Sequence, residues 1–224
     1  MTWLRILGKF LISVGVGVLL FVAWVLWGTG IYTAQQQDRL EEELAQLPDI
    51  KPEVHGSKKS EAPKFFGPGD DFEPGAGDPV FSLSIPEIKL SDVVVQGVGE
   101  EELKLGPGHY PDCSPGFAKP LCTDAEEVWP GEKGRVIVSG HRTTHGAPFW
   151  DLDKLKKGDE ILTGTQWGEF TYEVTGIEVV SPNARDIANP TPGGSKGEIV
   201  LTTCNPKFSA AERLIVFAEM KEAA

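Results

Sequence analysis

Three side chains that follow short apolar runs could together carry out nucleophilic chemistry. Cys204 lies at the end of one run, because Pro206 breaks the strand two residues later. Arg213 follows nine positions after the cysteine, at the start of a second apolar run, and His141 ends a third run. A thiol, an imidazole and a fixed guanidinium are the groups that acyl transfer through a thioester needs.

The three cysteines differ in their spacing, and a domain outside the cell, as predicted below, would lie where disulfides persist. Cys113 and Cys122 are nine residues apart in a loop rich in Pro and Gly, and pairing them as a disulfide leaves Cys204 as the odd thiol. Two alternatives stay open: both loop cysteines could be free, and an isolated cysteine is often buried and inert. The position of Cys204 at a strand end favours the reactive interpretation.

The histidines differ in what holds them. A lone histidine is usually structural, but His141 ends an apolar strand, and we therefore expect it to be the acid and base. His145 precedes Gly146 in a loop, and we expect a surface residue or a contact on the substrate side. No closely spaced His and Cys set exists, so the sequence predicts no metal site.

Residues 80–222 form the predicted globular part. Short strand-like segments alternate with glycine turns, which is typical of an all-β barrel or sandwich; they are residues 81–85, 93–95, 135–139, 160–162, 170–180, 198–203 and 213–219. Only residues 100–105 and 149–155 have a short helical pattern.

The N-terminal third is organised differently. Residues 10–27 are apolar apart from Ser13, and residues 10–32 are uncharged, long enough to cross a hydrocarbon core of roughly 30 Å. Arg5 and Lys9 precede the run, which predicts a cytoplasmic tail over residues 1–9 and an extracellular body. The alternatives are a cleaved signal peptide, which the missing cleavage site disfavours, and a buried core helix.

Residues 33–79 should connect this helix to the globular part. Leucines at helical spacing predict a short juxtamembrane helix that Pro48 stops, and the Pro- and Gly-rich stretch after it predicts a flexible spacer. Its phenylalanines could dock on the domain or on lipid, and the sequence does not decide between these. The formal net charge of −12 argues against a nucleic-acid partner.

Three motifs in order resemble the sortase family. They are Ser-Gly-His-Arg at residues 139–142, the segment 149–159, and Leu-Thr-Thr-Cys-Asn-Pro at residues 201–206 with Arg213 downstream; residues 83–88 are similar to the opening strand. Residues 106–111, Gly-Pro-Gly-His-Tyr-Pro, resemble class E sortases in particular. The resemblance implies an eight-stranded β-barrel with Cys204 as the nucleophile and His141 as the acid and base. Arg213 would stabilise the oxyanion or clamp the substrate.

The resemblance also implies a substrate and its contacts. The enzyme would cleave a C-terminal Leu-Pro-x-Thr-Gly-like or Leu-Ala-x-Thr-Gly-like sorting signal of a secreted protein between Thr and Gly. It would transfer the protein to an amine of the cell wall or of a pilin, without a cofactor. Tyr110 matches the tyrosine tied to a preference for Ala, Thr203 would line the groove, and His109 is taken as a further substrate-binding residue.

The sequence departs from the family pattern in two places, of which the first bears on substrate choice and the second should matter little to the chemistry. Residues 112–129 form an insertion that puts the entrance of the groove, and hence substrate choice, in question, and Asn205 stands where many relatives have His. The alternative function is a non-catalytic, membrane-tethered binding domain in which Cys204 is inert and Arg213 only forms ion pairs. Papain-like and L,D-transpeptidase enzymes fit less well, because their residue order or signature is absent.

Overall fold

The computed structural model describes residues 2–51, 53–55, 65–69, 71–113, 127–183 and 196–221. It begins with one continuous helical rod: α1 (Thr2–Ala23), a π-helical segment (Trp24–Gly28) and α2 (Thr29–Gln46). The helix Trp3–Ala23, which includes Arg5 and Lys9 near its start, is long enough and apolar enough overall to cross a membrane, and its most apolar stretch is not buried against the rest of the described chain. The rod ends at Leu47, which is extended as expected before a proline.

Eight strands of the described chain close into a barrel. They are β3 (Pro79–Ile85), β4 (Leu90–Gln96), β5 (Gly108–His109), β6 (Gly134–Ser139), β7 (Glu160–Thr165), β8 (Gly168–Val180), β9 (Gly197–Asn205) and β10 (Glu212–Met220). Their order around the barrel is β10–β8–β7–β3–β4–β5–β6–β9. The expected all-β, eight-stranded barrel with short helices is therefore confirmed.

Strand alternation separates the inner face of the barrel from its outer face. On β9, Ile199 and Leu201 belong to the core cluster, and on β10 Leu214 and Val216 do so. Because successive side chains of a strand point to opposite faces, Cys204 and Arg213 project from the outer face. The core thus fixes on which side of the sheet these two side chains appear.

The segment between rod and barrel is not a free spacer where it is described. Strands β1 (Glu53–His55) and β2 (Phe65–Gly67) pair with each other, and the Phe66 amide donates to the Gly131 carbonyl. Phe72 packs edge-on against Trp129 and Trp167, with ring centroids 4.9 and 5.3 Å apart. Of the two possibilities that the sequence left open, Phe72 therefore docks on the domain. The domain boundaries stay predictions.

Two local predictions differ from the structure. The expected helix at residues 149–155 is a set of turns with a 3₁₀ segment, Leu152–Lys154, because its amides bond carbonyls three residues back. The two-residue strand β5 was not predicted, since it lies in a Gly- and Pro-rich loop. Helix α3 (Glu100–Leu105) has the expected bounds.

Candidate active site

Cys204 and Arg213 are held next to each other by strand pairing. The antiparallel register of β9 and β10 places Cys204 opposite Arg213, and directly opposed residues have Cα atoms about 4.5–5.5 Å apart. Cys204 is partly exposed, and it is the free cysteine of the described residues. The thiol is therefore accessible at the surface and has a guanidinium-bearing neighbour.

The Arg213 guanidinium is anchored by the loop that joins the two strands. One terminal nitrogen, Nη1, donates to the carbonyls of Ala210 and Glu212, at 3.1 and 3.0 Å. Asn205 stabilises the same hairpin through its side-chain amide, which donates to the Glu212 carboxylate at 2.8 Å. Donors of Arg213 other than Nη1 can turn toward a developing oxyanion.

His141 reaches the same end of the barrel on the other side of β9. Strand β6 runs parallel to β9 with Ser139 opposite Thr202, and the Gly140 amide donates to the Thr202 carbonyl at 3.1 Å. The Thr203 hydroxyl donates to the Gly140 carbonyl at 2.7 Å. The residues that immediately precede His141 and Cys204 are thus hydrogen bonded to each other.

The electrostatic surroundings keep the His141 imidazole neutral. Burial, and after it the neighbouring His145, lower the pKa of His141 to about 4, while the Glu100 carboxylate opposes the shift. The His145 ring stacks on it with centroids 4.8 Å apart. Within the described residues the Nε2 atom of His141 is buried and has no hydrogen-bond partner, so no hydrogen bond competes for it in a proton transfer.

Arg142 fixes the segment that follows His141. It is almost fully buried; its Nε donates to the Trp150 carbonyl at 3.1 Å and its guanidinium pairs with Asp153 at 3.0 Å. The Phe149 amide also donates to the His141 carbonyl at 3.1 Å. These contacts close residues 141–150 into a compact loop, which we call the histidine loop.

The comparisons with known proteins agree with this geometry. The sortase domain family matches residues 83–221. The chain belongs to the sortase family. Sortase SrtE1 of Streptomyces coelicolor is 33% identical over 97% of this chain, and the chain spans only 57% of that relative's length. Sortase SrtE2 of the same organism is 30% identical, with 96% of this chain and 81% of that relative covered.

Solved sortases share the barrel. Sortase E1 from Streptomyces coelicolor, with a tripeptide in its active site, has a TM-score of 0.55 and 31% identity, with 67% of this chain and 92% of that one covered. Sortase E from Streptomyces avermitilis has a TM-score of 0.53 and 33% identity, covering 66% and 90%. The resemblance to class E sortases is thereby confirmed.

Tyr110 is the predicted substrate residue that lies near this sortase site. Its amide donates to the Ile137 carbonyl of β6 at 2.9 Å. Burial raises the pKa of the Tyr110 phenol, and the positive charge of Arg213 opposes that rise. Tyr110, Arg213 and Cys204 thus share one region of the surface.

Thr203 and His109 occupy the interior instead. Thr203 is 2% exposed and bonds to the backbone before His141, so the structure gives it a positioning contact. His109 is 1% exposed, and its Nδ1 and Nε2 lie 2.9 and 3.1 Å from the Gln96 side-chain oxygen and the Val128 carbonyl. A substrate contact by His109 would require this packing to open, so we assign it to holding the chain near Trp129.

Several residues of this sortase were not expected to support the site. The His145 amide donates to the Thr29 hydroxyl of α2 at 3.2 Å, and Thr33 of α2 donates to the Lys104 carbonyl. The Gln37 amide bridges the Val93 amide and carbonyl of β4, at 2.7 and 3.0 Å. No sequence signal links α2 to the barrel, because polar helix residues usually face solvent.

The remaining predicted site features concern cysteines and metals. Cys113 is exposed, whereas Cys122 lies outside the described residues, so their pairing stays a prediction. Among the described residues no cluster of His, Cys, Asp or Glu could hold a metal ion. Most of the insertion at residues 112–129 also lies outside the described part of the chain.

Proposed function

We propose that this sortase is a membrane-anchored cysteine transpeptidase. It cleaves a C-terminal Leu-Pro-x-Thr-Gly-like or Leu-Ala-x-Thr-Gly-like sorting signal between Thr and Gly and transfers the threonine acyl group to an amine. The observation that carries the proposal is the arrangement around β9: a free, partly exposed Cys204 lies opposite Arg213 and is joined through the Thr203–Gly140 hydrogen bond to the segment bearing His141.

In the acylation step the neutral His141 imidazole takes the proton from the Cys204 thiol. The sulfur attacks the threonine carbonyl carbon, a C–S bond forms, and negative charge develops on the carbonyl oxygen. The Arg213 guanidinium stabilises that charge. When the C–N bond breaks, the protonated His141 returns its proton to the leaving glycine nitrogen.

The second step repeats these events with a new amine. His141, neutral again after giving its proton to the glycine nitrogen, accepts a proton from the incoming amine as the amine nitrogen attacks the thioester carbonyl. The C–S bond breaks, the proton returns to the Cys204 sulfur, and an amide is restored. Water can replace the amine, which gives slow hydrolysis.

The anchoring and partners follow from the N-terminal rod. In this proposal α1 anchors the chain in the membrane and the barrel lies outside the cell, with secreted proteins as substrates and a cell-wall or pilin amine as acceptor. Arg5 and Lys9 precede the apolar stretch, which supports a cytoplasmic N-terminus. A disulfide between Cys113 and Cys122 is part of the proposal, since it suits an extracellular location. The chemistry needs no cofactor.

A transfer assay tests the proposal. The full chain in detergent is incubated with peptides ending in Leu-Pro-x-Thr-Gly or Leu-Ala-x-Thr-Gly extensions and with a glycine amine, and products are weighed by mass spectrometry. We expect a ligated product cut after Thr, with a peptide whose Thr and Gly are exchanged as the matched control. If every peptide stays intact while binding is measurable, the chain is a binding domain.

A further inference from the structure

The helical rod is in direct contact with the histidine loop at the first turn of α2. The His145 amide donates to the Thr29 hydroxyl, and Gly30 lies beside Gly146, where an added Cβ would be in van der Waals contact with the Gly146 Cα at 3.7 Å. Gly146 in turn faces Thr33, at 3.3 Å from an added Cβ. The hydrogen bond and these contacts hold the first turn of α2 against the loop that carries His141.

The position of the membrane edge follows from the same helix. A core of roughly 30 Å needs about 20 residues at 1.5 Å each, so a span that begins after Lys9 ends near Thr29. If the span is instead Trp3–Ala23, Thr29 lies six residues farther, which is about 9 Å. With either boundary the contact between Thr29 and the histidine loop lies within about 10 Å of the outer hydrocarbon edge, for a helix along the membrane normal.

Two exposed aromatic side chains occupy the same rim of the barrel. Trp150 is 39% exposed and Phe208 is 67% exposed, and their rings meet edge-to-face with centroids 5.8 Å apart. Both line the groove of about 760 Å³ that Gly30 and Thr33 also line. We call Trp150, Lys207 and Phe208 the aromatic rim.

The backbone holds Phe208 outward at a cost. Its φ is +65°, in the left-handed region that bulky residues rarely occupy. The Lys207 ammonium lies 4.3 Å from the centroid of the Trp150 ring and 3.6 Å from the Asp151 carboxylate. The rim is therefore aromatic with its charge locally balanced, which suits the phospholipid headgroup layer, where amphipathic rings concentrate.

We infer that the end of the barrel with Cys204 and His141 lies against the outer leaflet of the membrane that α1 crosses, with the aromatic rim inserted among phospholipid headgroups. The inference rests on the membrane anchoring of the proposed function. Two contacts with one bilayer, α1 and the rim, then fix the tilt of the barrel. The reaction centre faces substrates that are held at the same interface.

Site-specific photo-crosslinking in phosphatidylcholine proteoliposomes tests this orientation. The full chain carries benzoylphenylalanine in place of Phe208 or, as the control, of exposed Glu169. Glu169 lies near the opposite end of β8, eleven residues from Val180, which is roughly 36 Å away along the strand. We expect phospholipid adducts at position 208 to exceed those at position 169 at least tenfold.

The outcomes separate the two proposals. If an alkaline wash removes the chain from the membrane, the anchoring and this inference fail together. If the chain stays embedded while positions 208 and 169 label equally, or position 208 labels only an added sorting peptide, the inference alone is overturned. As an independent measurement, brominated phosphatidylcholine should quench less tryptophan emission in Trp150→Phe than in the unsubstituted chain.

Discussion

The two halves of the candidate site are held by different forces. Cys204 and Arg213 are fixed by the backbone ladder of β9 and β10, whose register follows from the apolar alternation of both strands. His141 lies beyond the end of β6, in a loop held by side chains such as Arg142 and Thr203. The nucleophile side therefore depends on the sheet, whereas the proton-transfer side depends on individual contacts that single substitutions can remove.

The largest expected effect is loss of the sulfur. Cys204→Ala should abolish transfer, because no other described thiol lies at this strand end, while the barrel stays folded. His145→Ala should keep most of the activity, since His145 stacks on the proposed base and does not itself exchange the proton. Product formation by mass spectrometry measures both, and an equal loss in the two variants would mean that His141 is the wrong base.

The second effect concerns the guanidinium. Arg213→Lys should lower kcat/KM by about 100-fold, because a point charge does not reproduce a planar fork facing an oxyanion. Arg135→Lys is the matched control: Arg135 pairs with Glu198 at the far end of the same outer face and should keep its activity. Steady-state kinetics with one sorting peptide compares them, and an unimpaired Arg213→Lys variant would argue against an oxyanion role.

The loop side can be tested without touching a reacting group. Thr203→Val removes the hydrogen bond to the Gly140 carbonyl, which should cost about 1–2 kcal/mol of unfolding free energy and lower kcat more than KM. Thr163→Val is matched, because the Thr163 hydroxyl is buried without a partner among the described residues and its loss should be neutral or stabilising. Denaturant unfolding gives the unfolding free energies and steady-state kinetics gives kcat and KM. If Thr203→Val and Thr163→Val changed these values equally, Thr203 would have no specific positioning role.

A smaller effect is expected from the helix that supports this loop. Gln37→Ala removes the bridge to Val93 and should raise amide exchange in the histidine loop several-fold in the full chain, while Gln35→Ala should not, because Gln35 is exposed on the same helix. Hydrogen exchange read by mass spectrometry measures the difference. Unchanged exchange in Gln37→Ala would show that α2 does not stabilise the loop.

The smallest effect is a pH dependence in the groove beneath α2. Burial raises the pKa of Asp92 to about 6 from an ordinary value of 3.8, so the folded state binds the proton more tightly. The stability that the protonated carboxyl contributes is present below pH 3.8 and is lost as pH rises through about 6.

Asp92→Asn should therefore raise the melting temperature at pH 8 by about 2–4 °C and leave it unchanged near pH 4. Asp38→Asn, on the exposed side of the same groove, is the control. Thermal unfolding at the two pH values decides: an equal gain at both would show that ionisation of Asp92 is not the cause.

The sequence predicted the strand-held side of the site, with Cys204 and Arg213, better than the side held by side-chain contacts around His141. Strand alternation and Pro206 were enough to place Cys204 and Arg213, because register is a local property of two apolar runs. The burial of His109 and Thr203 was not predicted, since a polar residue in a Gly- and Pro-rich loop or at a strand end is usually expected to be exposed. The docking of Thr29 and Gln37 depends on contacts across 56 to 116 residues, which no local pattern encodes.

Thioester formation at Cys204 is tested most sharply by the intact mass of the full chain after brief exposure to a sorting peptide without an acceptor amine. We expect a mass increase equal to the acyl part of the peptide through Thr, located at Cys204 by fragmentation and released by hydroxylamine as a thioester would be. A product cut after Thr with no adduct at Cys204, or an adduct on another residue, would contradict it.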